Sequence, residues 1–237
     1  VNKSLTIDGG NFKYTGGISV SGSTTDIVIK NINFVDGTGY AVTTNRIKSV
    51  TVEDCTVKNY GYGFLYANKS TPTVVVRNVT VDGGDYGFHW VYGTRATLEN
   101  VTMTNVTNGL LIQNYASKTI NLKNCNISSI EIWERSGSSG VQTFKFEGSN
   151  TVGTLSNSQY AKYVLAATDA TLTAPANAAV TTGVDGYEVE YDGSKYVAVP
   201  IVRVAKIGDV EYKTLAAAIA AAEPGDKIEL IADVTEN

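Results

Sequence analysis

Charge is what this sequence has least of. Asp, Glu, Lys and Arg make up 18% of its 237 residues and sum to −4. With a pI near 5.1 there is no polybasic surface to hold nucleic acid or an anionic membrane, and neither is expected as a partner. Long apolar runs are missing as well. The longest, residues 215–222, falls far short of the roughly 20 residues that cross a bilayer, so no membrane span is expected in this segment. Val1-Asn2-Lys3-Ser4 does not read as a secretory leader but as the middle of a strand, so the chain is expected to be mature or excised from something longer. Histidine occurs once, as His89, and cysteine twice. Neither zinc-type Cys/His spacing nor a phosphate-cradling glycine loop is present, and no metal or cofactor is expected.

What the sequence has is repetition, in a composition rich in Thr, Val, Asn, Gly and Tyr that favours strands and turns. Residues 27–34 read Ile-Val-Ile-Lys-Asn-Ile-Asn-Phe. The pattern returns at 50–57, 74–81, 96–103 and 120–127, with degenerate copies at 5–12 and 144–151. Its fifth place holds Gly9, Asn31, Asp54, Asn78, Asn100, Asn124 and Gly148, spaced 22, 23, 24, 22, 24 and 24 residues apart. A period of that size marks a solenoid.

Within each copy apolar residues alternate, as in a strand with one face buried, and the alternation changes phase at the fifth place. A bend belongs there, and Asn, Asp and Gly tolerate the left-handed backbone it needs. Stacked asparagines would form an amide ladder. The outward row one place earlier reads Asp8, Lys30, Glu53, Arg77, Glu99, Lys123 and Glu147, alternating in sign throughout. That order is favourable only if successive coils stack in register. Cys55 and Cys125 each follow a bend, with Val79 and Val101 in that place between them. Three coils of about 4.8 Å separate the thiols by roughly 14 Å, beyond the ~7 Å limit of a disulfide, so both are expected free and buried. A second strand follows in each coil after Gly39-Tyr40, Gly63-Phe64, Gly87-Phe88 and Gly109-Leu110, where glycine permits another corner. The fold expected is all-β: a right-handed parallel β-helix of about seven coils over residues 1–170.

Beyond residue 170 the period fades. Residues 171–202 are expected to be a linker and a hairpin turning at Asp192-Gly193, and 203–237 a helix-strand segment. Its helix, near 214–222, would place Leu215, Ala218, Ile219 and Ala222 on one face.

The Asn-marked coils resemble the right-handed parallel β-helix of the pectate-lyase-like superfamily. Residues 187–199, 204–222 and 224–234 resemble modules of large surface proteins of Gram-positive gut bacteria. The resemblance implies an extracellular or cell-surface setting. In pectate-lyase-like proteins such a helix and strand precede the first coil and cover its open end; here they come last. Some copy of residues 203–237, in the same chain or a neighbour, is therefore expected to cover the first coil, with head-to-tail association as one outcome.

The chemistry-bearing residues are sparse. His89 is expected between Leu65 and Leu111 on adjacent coils, with no nucleophile or carboxylate stacked beside it, which argues against a triad. Lyases and hydrolases on this fold need clustered carboxylates. The candidates are Asp36, Asp82 and Asp85, interrupted by Asn59 and Asn105, and an Asp before Gly is an ordinary turn residue. The paired-Asp, Gly-His-Gly and Arg-Ile-Lys motifs of polygalacturonases are missing.

Aromatic residues concentrate on the glycine-opened strand and its turns: Tyr60, Tyr62, Tyr66, Tyr86, His89, Trp90, Tyr92 and Tyr115. Alternation puts Phe64, Tyr66, Phe88 and Trp90 inward and stacks Tyr62 on Tyr86 one coil away. Tyr60, Tyr62, Tyr86, His89 and Asp85 are then the candidates for binding a glycan, since sugar C–H faces pack on aromatic rings. The function expected is a non-catalytic adhesion or scaffold module, with a glycan as the second partner class. The alternative is a polysaccharide lyase or glycoside hydrolase.

Overall fold

A computed structural model describes residues 3–22, 25–68 and 73–234. The strand reading of Val1-Asn2 and the last three residues of the 203–237 segment lie outside the described residues. The chain forms a parallel β-solenoid of about seven turns. Its first column of strands begins Leu5–Tyr14, Asp26–Val35, Ser49–Lys58, Thr73–Asp82 and Arg95–Thr104, each paired in parallel with the next. A second column stacks Ile18–Ser21, Tyr40–Asn45, Gly63–Asn68, Tyr86–Trp90 and Asn108–Gln113.

The seven outward charges stand in one file. Asp8 pairs in register with Lys30, Lys30 with Glu53, Glu53 with Arg77, Arg77 with Glu99, Glu99 with Lys123 and Lys123 with Glu147. This register brings Asp8 and Lys30 to 3.5 Å, Arg77 and Glu99 to 3.5 Å, and Glu99 and Lys123 to 3.6 Å. Exposed pairs of this kind contribute up to ~1 kcal/mol each, so the file fixes register more than stability. Inside, like positions form apolar files such as Ile29, Val52, Val76, Leu98, Leu122, Phe146 and Leu165, all 0% exposed. Cys55 and Cys125 are free and buried.

The bend is left-handed where expected, with φ of 53° at Asn31, 54° at Asp54, 51° at Asn78, 53° at Asn100 and 54° at Asn124. Part of it carries a side-chain ladder: Asn78 Nδ2 donates to Asp54 Oδ1, and Asn100 Nδ2 to Asn78 Oδ1, both at 2.9 Å. The first coil departs from the pattern. Asp8 opposes Lys30 but Phe12 opposes Ile32, so two extra residues bulge out, and the positive φ falls on Gly10 and Asn11 in place of Gly9. An end coil has a neighbour on one side only and can bulge without breaking a second ladder. In the other degenerate copy the bend stays at Gly148, but one residue is added after it. Asn150 is buried there, and its Oδ1 accepts the Cys125 N–H at 3.0 Å.

The parallel ladder runs on past residue 170. Ala161–Leu165, Thr171–Thr173 and Val180–Thr182 each add in parallel to the coil before. The hairpin of Tyr187–Tyr191 and Tyr196–Pro200 closes that end, its second strand pairing antiparallel with Thr171–Thr173. A separate small unit comes last. Val210–Tyr212 and Ile228–Leu230 flank Ala205–Ile207, and the helix Leu215–Ala221 starts from an N-cap at Thr214. Of the expected helix face, Ala218 is fully buried but Ile219 is 59% exposed.

Candidate functional site

The second column carries the site, and its register explains the arrangement. Tyr40 opposes Gly63, Gly63 opposes Tyr86, and Tyr86 opposes Asn108. The next two places both face inward at a corner: Ala41 with Val42, then Phe64 with Leu65, all 0% exposed. That double inward step flips the parity. The outward file is therefore Thr43, Tyr66, His89 and Leu111. Tyr66 faces out rather than into the core, and it, not Leu65, is the neighbour of His89. Phe64, Phe88 and Trp90 are buried as their positions imply. Tyr62 does not stack on Tyr86, because Gly63 occupies that register.

Gly63 has no side chain, and the rings of Tyr40 and Tyr86, two coils apart, come within 6.3 Å of each other past it. Around this pair the rings touch in sequence. Tyr40 stacks on Tyr66 at 5.2 Å and meets Tyr62 at 5.8 Å. His89 lies 4.8 Å from Tyr66, 5.3 Å from Tyr86 and 6.0 Å from Trp133. Tyr62 is 57% and Trp133 52% exposed, so the two ends of the array are open to a ligand. Beside it Tyr92 stacks on Tyr115 at 4.5 Å, and the Arg135 guanidinium lies 4.3 Å over Tyr115.

The Tyr40 hydroxyl sits 3.2 Å from His89 Nδ1. Burial raises the pKa of Tyr40, and Tyr86, Tyr66 and Asp85 nearby add to the rise. Burial lowers that of His89, which is therefore neutral at pH 7. His89 Nε2 is buried and has no hydrogen-bond partner among the described residues.

The structure brings Tyr62, Tyr86 and His89 together with Asp85 at the margin. Tyr60 is not with them. It is 1% exposed, its hydroxyl donates to the Gly16 carbonyl at 2.6 Å, and its ring packs edge-on against Phe34 in the core. The carboxylates are held as turn residues. Asp36 takes the Asn59 amide at 3.0 Å and Asp82 the Asn105 amide at 2.7 Å. Among the described residues no three His, Cys, Asp or Glu side chains gather as a metal site. Sequence reasoning misses Tyr40, Tyr66 and Trp133. Offsetting the Gly63 coil by one residue from the Gly87 coil yields Tyr66, and offsetting the Gly39 coil by one more yields Tyr40. Trp133 ends the strand Asn126–Trp133, which serves both columns, so no repeat position identifies it.

Compared with known proteins, the chain matches no family model, no curated protein and no solved structure. Its functional reading therefore rests on geometry.

Proposed function

We propose that this chain is a non-catalytic module of a larger extracellular or cell-surface protein, a stiff rod that holds a carbohydrate against its ring-lined face. Its β-helix is read as the right-handed, pectate-lyase-like kind carried by gut-bacterial surface proteins. The observation that supports binding is the unbroken series of ring contacts from Tyr62 through Tyr40, Tyr66 and His89 to Trp133, exposed at both ends. Flat aromatic faces in a rigid frame bury sugar C–H surface with little ordering cost, and tyrosine hydroxyls at their edges meet sugar hydroxyls. The partners proposed are a glycan and a second copy of the chain.

A glycan array followed by calorimetric titration tests the binding face. Tyr62→Ala combined with Trp133→Ala should weaken the best ligand at least tenfold, about 1.4 kcal/mol or more. Stability should shift by less than about 0.5 kcal/mol per site, since both rings are exposed. An array with no bound sugar, or a double variant that binds as well as the parent, overturns the reading.

One observation favours a lyase or hydrolase as the second reading: the Tyr40 hydroxyl beside His89 Nδ1 on the ring-lined face, with Asp85 near. Turnover of an acidic polysaccharide in the presence of calcium, abolished by Asp82→Ala or His89→Ala, would replace the binding reading with this one.

A further inference from the structure

Among the described residues, two surfaces are left uncovered in complementary ways. Among the described residues, Leu5–Tyr14 pairs only with Asp26–Val35, and Ile18–Ser21 only with Tyr40–Asn45. Each keeps a free row of backbone donors and acceptors. Phe12 is 78% and Tyr14 42% exposed, and with Ile7, Ile18 and Ile32 they line a groove of about 370 Å³.

At the other surface, register sorts the three-stranded sheet into two faces. Lys206, Glu211 and Glu229 share one; Ala205, Ile207, Val210, Tyr212, Ile228 and Leu230 share the other. The seven-residue helix packs on the apolar face and is too short to cover it. Val210 and Leu230 remain 58% exposed, and Ile219 on the helix 59%.

This apolar remainder does not reach its own first coil. From Leu5–Tyr14 to Thr171–Thr173 there are seven strand-to-strand steps, about 34 Å at 4.8 Å each. The link from Pro200 to Val204 spans at most about 14 Å when extended. Its start is pinned by the Ile201 N–H on the Gly186 carbonyl at 2.8 Å, and the unit by Lys213–Glu188 at 2.5 Å. Charge also matches across copies. Residues 3–22 carry two lysines against one aspartate, and residues 204–234 six carboxylates against three lysines.

We propose that residues 204–234 of one copy seat on the first coil of a second copy, head to tail. The proposal rests on reading the chain as a self-associating module and adds which surfaces meet. Such a contact is heterologous, so it builds an open row of copies rather than a closed dimer.

Sedimentation of the full chain over a range of concentrations is the test, with two full-length variants at exposed positions, Phe12→Glu and Leu230→Asp. The parent should grow past a dimer as concentration rises. Each variant alone should associate at least about tenfold more weakly. An equimolar mixture should give a one-to-one complex and nothing larger, because each supplies the surface the other lacks. A parent that stays monomeric overturns self-association itself. A parent that associates, with variants that associate equally well or a mixture that fails to pair, overturns the head-to-tail geometry alone.

Discussion

Gly63→Ala is expected to unfold at a clearly lower urea concentration than the parent, and Gly39→Ala to unfold with it. Both glycines precede an aromatic residue at the opening of a second-column strand, and by sequence they are the same device. They are not the same in space. Gly63 has φ of +132°, and a Cβ there would lie 1.7 Å from the Tyr86 carbonyl oxygen, a backbone atom held in the parallel ladder. Neither the backbone strain nor the clash can relax without separating two coils. A cost above about 3 kcal/mol is expected, in the range reserved for special backbone positions. A Cβ on Gly39 meets nothing within 4 Å and its φ is not positive, so the change there should stay within about 0.5 kcal/mol. The clash also lies at the centre of the ring array, since Gly63 is the gap past which Tyr40 and Tyr86 approach. Any Gly63→Ala protein that does fold should show changed tyrosine near-ultraviolet dichroism. Equal urea midpoints for the two variants would mean that the coils are not packed this closely.

These glycines also show how far the sequence can be read. The first column is legible because its period, its bend residue and its charge file are three separate signals that agree on one register. The second column offers only glycines and aromatics, and aligning Gly39, Gly63, Gly87 and Gly109 as equivalents slips the Gly63 coil by one residue and the Gly39 coil by two. With a side-chain period of two, a slip of one residue exchanges inside for outside. Hence alternation places Tyr66 in the core and Tyr62 in a stack with Tyr86, and the structure does neither. Tyr60 departs for a different reason. It lies in a turn, where alternation gives no guidance, and it is drawn inward by Gly37, whose missing side chain leaves room for the ring; a Cβ there would fall 2.1 Å from it. The small C-terminal sheet is legible as elements, but its two faces emerge only from the antiparallel register.

Between about pH 7.5 and 9.5 the parent should gain stability relative to Lys118→Met. Lys118 is 2% exposed, with its ammonium donating to the carbonyls of Gln113 and, at 3.3 Å, Ala116, and standing 5.8 Å from the Trp90 ring. No carboxylate pairs with it among the salt bridges of the described residues. Burial without a counter-charge pushes its pKa down to about 8. The unfolded chain keeps that proton to about 10.4, so between these values it binds more protons than the native state, and stability rises with pH. Below about 8 both states are charged and the penalty is constant. Cys55 and Cys125 act in the opposite sense: burial raises both thiols to about 11, so their contribution is lost as pH climbs past the unfolded thiol value near 9. The parent's curve alone is therefore a composite, and the difference between parent and Lys118→Met isolates the lysine. Between about pH 7.5 and 9.5 that difference should move in the parent's favour by on the order of 1–2 kcal/mol. The same carbonyls belong to the turn around Asn114, whose Oδ1 accepts the Arg135 N–H at 2.8 Å and whose Nδ2 donates to the Ser138 carbonyl at 3.1 Å. Lys118 thus helps hold the loop behind Trp133, and a neutral amine still donates two hydrogens to the two carbonyls. Urea titrations of both proteins across that pH range decide it, and a flat difference would show that the lysine ionises as if exposed.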